Sequence, residues 1–255
     1  MATLILPKEK HVPKADNAKF LVLYGKPKHG KTSFVASIPN NLIIDLESGT
    51  DYIEAMSVKA KNVADLAEIA NAIREEINKT GKMPYDYITI DSGTVLEDIA
   101  EEYALKLYQQ TPMARDKTTG KIYNDSVLKL PNGAGYKYLR EAFEKLWKTF
   151  LELTPHLIMI CHCKDKMVDV EGMEMTENAI DLSGKLARIV LQKADAIGLI
   201  YRKDNQTIAS FGKNINRDIG GARPKHLRNV DIVVGESDEA QNITFYPERI
   251  YLPEQ

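Results

Sequence analysis

Cysteine is almost absent: two thiols, Cys161 and Cys163, stand one residue apart in a chain of 255. Such a pair cannot staple a domain of this length, which points to a reducing, cytoplasmic setting and away from a disulfide scaffold. Nothing near Met1 reads as a cationic start, an apolar core and a cleavage site. No apolar run approaches the roughly 20 residues that cross a bilayer, so no membrane partner is expected and transport by this chain alone is excluded. Charge of one sign is not in excess either, with 34 Lys+Arg against 36 Asp+Glu, which argues against a wholly basic polymer binder. There is no internal repeat and no low-complexity tract. A composition of 44% hydrophobic and 27% charged residues is that of an ordinary folded chain.

The charge is unevenly spread. Residues 1–38 carry seven cations against two acids, residues 201–228 again seven against two, and residues 229–255 one against six. Two basic segments separated by acidic sequence can meet in space on one polyanion site, or can be two solvated faces. The acidic segment reads either as a competitor for basic loops or as a solubilising tail.

Short apolar runs alternate with helical periodicity, the pattern of an α/β fold with a central, mostly parallel sheet flanked by helices and a small antiparallel C-terminal extension. Strands are predicted at 20–24, 42–46, 87–91, 157–161 and 196–201, with 206–211 and 243–246 as later additions. Helices are predicted at 31–37, 63–79, 94–108, 136–153 and 183–193. We expect one domain over 1–255: an arm at 1–16, a core at 17–228 and the acidic segment from 229. Two stretches lack clear periodicity, 109–135 and 164–181, and both are read as loops.

Directly after the first strand, Gly25-Lys26-Pro27-Lys28-His29-Gly30-Lys31-Thr32 satisfies G-x-x-x-x-G-K-[ST] between a strand and a helix. Glycines let successive N–H groups turn towards phosphate oxygens at a helix N-terminus. The nucleotide-binding set is therefore Gly25, Lys26, Pro27, Lys28, His29, Gly30, Lys31, Thr32 and Ser33, with Lys31 on the β/γ-phosphates and the Thr32 hydroxyl on Mg²⁺. Lys28 and His29 stand where many such loops carry small residues; they either add positive charge or are simply solvated.

Asp91 ends the apolar run Tyr87-Ile88-Thr89-Ile90, as a carboxylate must if it is to reach a metal on the phosphate loop; its plainer reading is a cap for the next helix. Asp45 and Glu47 share one face at the end of the second strand. Glu47, farther out, is the candidate base for an attacking water, with a cap or salt bridge as the alternative. His162, at the end of the fourth strand, is a candidate sensor of the γ-phosphate or a structural histidine. Zinc on Cys161-His162-Cys163 is disfavoured, because adjacent residues do not readily supply three tetrahedral ligands.

The set GKPKHGKT, IIDLESG, ITIDS and MICHCK resembles the RecA-like ATPase core. More closely, it is similar to phage-encoded RecA-like proteins linked to single-strand annealing and homologous recombination. The resemblance covers roughly 17–228 and implies ATP with Mg²⁺, a bacterial host, assembly as a homo-oligomer in a ring or filament, and a single-strand-binding protein as a possible partner. It also implies that Glu47 activates water, that His162 couples nucleotide state to DNA-facing loops, and that cations of one subunit complete the neighbour's site. Lys213 and Arg217 are the candidates for that last role. Within 109–135, Arg115, Lys117, Lys121 and Lys129 with Tyr123 inside the stretch and Tyr108, Tyr136 and Tyr138 at its edges have the composition of a single-stranded DNA platform, or of a flexible polar loop whose edge tyrosines pack on the core. In 164–181, Lys164 and Lys166 are outnumbered by acids. A small-molecule kinase is the alternative enzyme, and a nucleotide-gated adaptor or loader with little turnover the alternative binder. GTP is disfavoured because Asn78-Lys79-Thr80-Gly81 lacks the aspartate of a guanine-reading motif.

Overall fold

The run FLVLYG forms the first strand, β1 (Phe20–Gly25), and every one of its residues is buried. A strand apolar on both faces must be covered on both. Its alternate side chains accordingly feed two cores, Phe20, Val22 and Tyr24 on one side and Leu21 and Leu23 on the other. The computed structural model describes residues 16–170, 173–212 and 219–253. After β1 come α1 (Lys31–Ala36), β2 (Asn41–Asp45), β3 (Ser57–Lys59), α2 (Val63–Thr80), β4 (Tyr87–Asp91), α3 (Gly93–Gln109) and α4 (Gly135–Leu151). The second half adds β5 (His156–Val170), β6 (Met173–Ile180), α5 (Lys185–Lys193), β7 (Ala196–Lys203), β8 (Gln206–Ser210), β9 (Gly221–Ala222), β10 (Asp231–Ser237) and β11 (Ile243–Phe245).

The strands run in the order β11-β10-β8-β7-β1-β5-β4-β2-β3. From β7 to β3 all neighbours are parallel, whereas β8, β10 and β11 join antiparallel at the other side. This is the expected class: a mostly parallel sheet with an antiparallel C-terminal extension. β5 lies between β1 and β4, with Gly25 in register with His162 and Asp91 with Ile160. The ends of four neighbouring strands therefore meet along one sheet edge.

Two expectations change, and a third is sharpened. The stretch 164–181 is not a loop but mostly a hairpin, β5 running on to pair with β6 from Cys163↔Ile180 to Val170↔Met173. Its polar sequence hid it, because a two-stranded ribbon lying off the sheet path is held by backbone pairing and needs no apolar run. Lys164 is tied down there, 3.1 Å from Asp181 and donating to the Leu182 carbonyl at 2.9 Å. The acidic segment is no tail either: β10 and β11 complete the sheet, Val234 is buried, and Glu236 faces outward as charge on a sheet margin does. The stretch 109–135 is irregular yet pinned, with short 3₁₀ turns at Pro112–Ala114, Val127–Lys129 and Pro131–Gly133 and with Ala114, Val127 and Leu130 in the core. Gly135 is required at its close, since a Cβ there would fall 1.7 Å from the Val127 carbonyl oxygen.

Trp147, the single tryptophan, stacks on Phe20 with ring centroids 4.8 Å apart, and both are fully buried. Phe20→Ala is expected to cost about 3–5 kcal/mol in a denaturant titration. It should also shift the emission of Trp147, which would stay unchanged if the two rings did not pack.

Candidate active site

β1 ends at Gly25, where a Cβ would sit 2.2 Å from the Ile200 carbonyl oxygen of β7, so only glycine lets the chain turn into the loop here. Gly30, at φ 88°, takes the left-handed conformation that starts α1. Lys26, Pro27 and Lys28 are exposed, while Lys31 is buried and Ser33 half-buried. The Lys31 ammonium donates to the Gly25 and Lys26 carbonyls at 2.8 Å each, bringing the long side chain back over its own loop. Burial pulls its pKa below the ordinary lysine value, with Asp91 and Glu47 acting against that. At His29 the surroundings work against a positive charge. Burial first, then Lys31, holds its imidazole below the usual 6.5.

Across β5, the Thr32 hydroxyl donates to Asp91 Oδ2 at 2.6 Å. Asp91 is buried at the end of β4, and burial, reinforced by Glu47 and Asp45, pushes its carboxyl up to about 6. A hydroxyl and a single carboxylate, both oxygen donors, are what Mg²⁺ takes from a protein when waters and phosphates supply the rest. Among the described residues no cluster of three His, Cys, Asp or Glu side chains offers an alternative all-protein site. Thr32 and Asp91 thus fit the ion expected of them.

Asp45 does different work. Its carboxylate accepts from the backbone N–H groups of Glu47, Gly49 and Thr50 and from the Thr50 hydroxyl, closing a tight turn. Burial alone would raise this carboxyl, but those hydrogen bonds hold it below the ordinary value. The turn delivers Glu47 to the sheet edge. There Glu47 Oε1 accepts from the Ser92 hydroxyl and lies 2.8 Å from His162 Nε2, which carries the proton if the carboxylate accepts. Both contacts fall on Oε1 and leave Oε2 without a hydrogen bond among the described residues. His162 therefore touches the candidate base, and its neighbours Cys161 and Cys163 point to the opposite face of the strand, as alternation dictates. Cys161 is buried and its thiol is pushed up by burial.

Ser92, Arg202 and Thr207 were not singled out from the sequence. Ser92 had a local signal, standing right after the strand-end acid, and it also caps α3 through the Val95 N–H. Arg202 and Thr207 had none: β7 and β8 bring them beside Gly30, with the Arg202 guanidinium 4.0 Å from where a Cβ would be. Asn78–Thr80 is the last turn of α2 and Gly81 its left-handed cap, a structural use of that sequence.

The residues expected to form a DNA platform differ in their surroundings. The Tyr123 ring packs edge-on against Tyr108, and its hydroxyl donates to the Ser126 carbonyl; of the edge tyrosines, Tyr108 and Tyr138 are buried in the core and Tyr136 is exposed. Lys129 pairs with Asp125 at 2.9 Å. Arg115, Lys117 and Lys121 are exposed on a turn beyond the C-terminal end of α3, a helix about 25 Å long whose other end is capped by Ser92. Lys213 and Arg217 lie outside the described residues, as does the arm up to residue 15.

A family profile described as an AAA domain matches residues 17–226. No curated protein matches the chain. Among solved structures, a KaiC-like protein from the hyperthermophilic archaeon Pyrococcus horikoshii OT3 aligns over 89% of each chain, at 12% identity and a TM-score of 0.45. Among the described residues no helix is long and apolar enough to cross a membrane.

The raised Asp91 carboxyl has a cost that can be measured. Its folded-state pKa of about 6 exceeds the ordinary 3.8, so ionisation at neutral pH opposes folding, by about 3 kcal/mol on the full shift. Asp91→Asn should therefore melt higher than the parent at pH 7.5, and the gain should shrink as the pH falls from 6 towards 3.8. The same variant should lose Mg²⁺-dependent nucleotide affinity. Equal melting of the two proteins at pH 7.5 would mean that the carboxylate is not desolvated.

Proposed function

The chain belongs to the AAA domain family, and from that premise we propose that it is an Mg²⁺-dependent, RecA-like ATPase that assembles on single-stranded DNA and promotes annealing or homologous recombination. A phage-infected bacterial cytoplasm is the setting this reading fits, with a single-strand-binding protein as a further partner. The observation that carries the ATPase reading is the position of Glu47 beside the Thr32–Asp91 pair, with Oε1 engaged by Ser92 and His162 and Oε2 without a hydrogen bond among the described residues.

Residues 25–33 would cradle the phosphates, and the Lys31 ammonium would exchange its loop carbonyls for β/γ-phosphate oxygens. Thr32 and Asp91 would hold Mg²⁺, which when bound neutralises charge on those oxygens. Glu47 Oε2 would take a proton from the water that attacks the γ-phosphorus, while the bond to the β–γ bridging oxygen breaks and ADP and phosphate leave. Ser92 and His162 fix the orientation of the base. Loss of the γ-phosphate would be felt at His162, whose strand runs on into the β5–β6 hairpin. Arg115, Lys117 and Lys121 remain candidates for DNA phosphates, and Lys213 and Arg217 for a neighbour's γ-phosphate.

A nucleotide-gated adaptor with little turnover is a second reading, favoured by the engagement of Lys31 with its own loop. Steady-state ATP hydrolysis with and without single-stranded DNA separates the two. We expect DNA to stimulate the parent, Glu47→Gln to lower turnover by about 10²–10⁴-fold while still binding ATP, and Lys31→Ala to lose both. Turnover absent under either condition would favour the adaptor. Transfer of phosphate to a metabolite in place of water would favour a kinase.

A further inference from the structure

At the sheet edge opposite the phosphate loop, the two basic segments of the sequence meet. Lys19 stands just ahead of β1, about 20 Å from Gly25 by strand length, and Asp195 just ahead of its neighbour β7. Between them and the short 3₁₀ turn at Lys225–Leu227 is a cleft of about 820 Å³, with Lys19, Arg223, Lys225 and Arg228 in its walls. The one cation comes from segment 1–38 and the other three from segment 201–228; folding has joined what the sequence separates.

The two acids in this cleft, Asp16 and Asp195, offset only part of the charge of its four cations. Asp195 is fully engaged: Oδ2 accepts the Lys19 and Phe20 N–H groups at 3.1 Å each, and Oδ1 accepts from Arg223 at 2.6 Å. Asp16 is exposed at the rim. Lys19, Lys225 and Arg228 form no ion pair among the described residues. The Arg228 guanidinium is already oriented, donating through Nε and Nη2 to the Arg223 carbonyl at 3.0 and 2.6 Å. His226 is likewise fixed, its Nε2 lying 2.9 Å from the Ile250 carbonyl oxygen.

We propose that this cleft binds the phosphodiester backbone of single-stranded nucleic acid, at an edge of the molecule remote from ATP; the inference rests on the reading that the protein acts on single-stranded DNA. A phosphate chain is favoured over an acidic protein because protein partners draw most of their affinity from apolar anchors. Here, among the described residues that line the cleft, Pro224 and Leu252 are the two of apolar type, and no aromatic ring other than that of His226 is present to serve as an anchor. A backbone read through cations alone needs no such anchors. The cleft is also much wider than one phosphate, and its cations come from separate segments, as suits a strand laid across it.

The test is fluorescence anisotropy of a labelled oligothymidine over a salt series. Three proteins are compared: the parent, a Lys19→Ala/Lys225→Ala/Arg228→Ala cleft variant, and an Arg115→Ala/Lys117→Ala/Lys121→Ala loop variant. The cleft variant should lose about tenfold or more in affinity, and its log–log salt slope should flatten by about 2, at ~0.7 per phosphate contact removed. Its ATP hydrolysis without DNA should match the parent's. Lys225→Glu alone, at an exposed position outside the hydrogen-bond network, should weaken binding in a chain with parental circular dichroism. Parental affinity and slope in the cleft variants, or a loss confined to the loop variant, would overturn the inference while leaving the DNA reading intact. A parent that binds no oligonucleotide would overturn both. Competition by polyglutamate as effective as by an oligonucleotide of equal charge would reassign the cleft to acidic protein.

Discussion

The bond from Thr32 to Asp91 is the contact on which the rest of the site depends. It spans β5, tying the start of α1 to the end of β4, and it exists only because the sheet order puts one strand between the loop strand and the acid strand. That spacing leaves His162 in the middle and lets Glu47 arrive from the next strand over. The buried carboxylate is unfavourable in isolation, with its pKa pushed to about 6. A bound cation is the natural partner for a group placed so. Stability is set against function at one side chain.

The remaining polar groups at this edge divide between shaping and chemistry. Asp45 spends all its capacity on the turn after β2 and has none left for a ligand. Glu47, two residues on, uses one oxygen for Ser92 and His162 and keeps the other. The strand ends at Asp45, so the two acids expected on one strand face are divided between the strand end and the turn beyond it, and their roles differ by hydrogen-bond capacity. At the other edge of the sheet Asp195 behaves like Asp45. By capping β1 and holding Arg223, it uses its own carboxylate within the fold and leaves Lys19, Lys225 and Arg228 outside any ion pair among the described residues.

Legibility followed physical signal. The buried parallel strands were readable because their apolar runs are needed on both faces, and the phosphate loop because glycine and lysine spacing is dictated by backbone turns at a helix start. The β5–β6 hairpin was not readable: its residues alternate charge with methionine and valine, and only register with a partner makes them strands. β10 was overlooked for a related reason, since Ile232-Val233-Val234 sits among charges that suit a sheet margin as well as a tail. That the Tyr123 ring would meet Tyr108 edge-on could not be read from composition, because the contact joins a helix end to a loop 15 residues on.

By itself the sequence determined the phosphate loop, the acid at the end of β4 and the mostly parallel sheet, because each follows from local backbone geometry or from a short apolar period. Which groups share hydrogen bonds could be decided only by the tertiary structure. Ser92 and His162 meet on one oxygen of Glu47, Arg202 stands beside Gly30, and Lys19 lies across a cleft from Arg228, though 209 positions separate those two cations. Those pairings depend on strand order, and strand order is set by how both faces of the sheet are covered at once, a property no local window of residues contains.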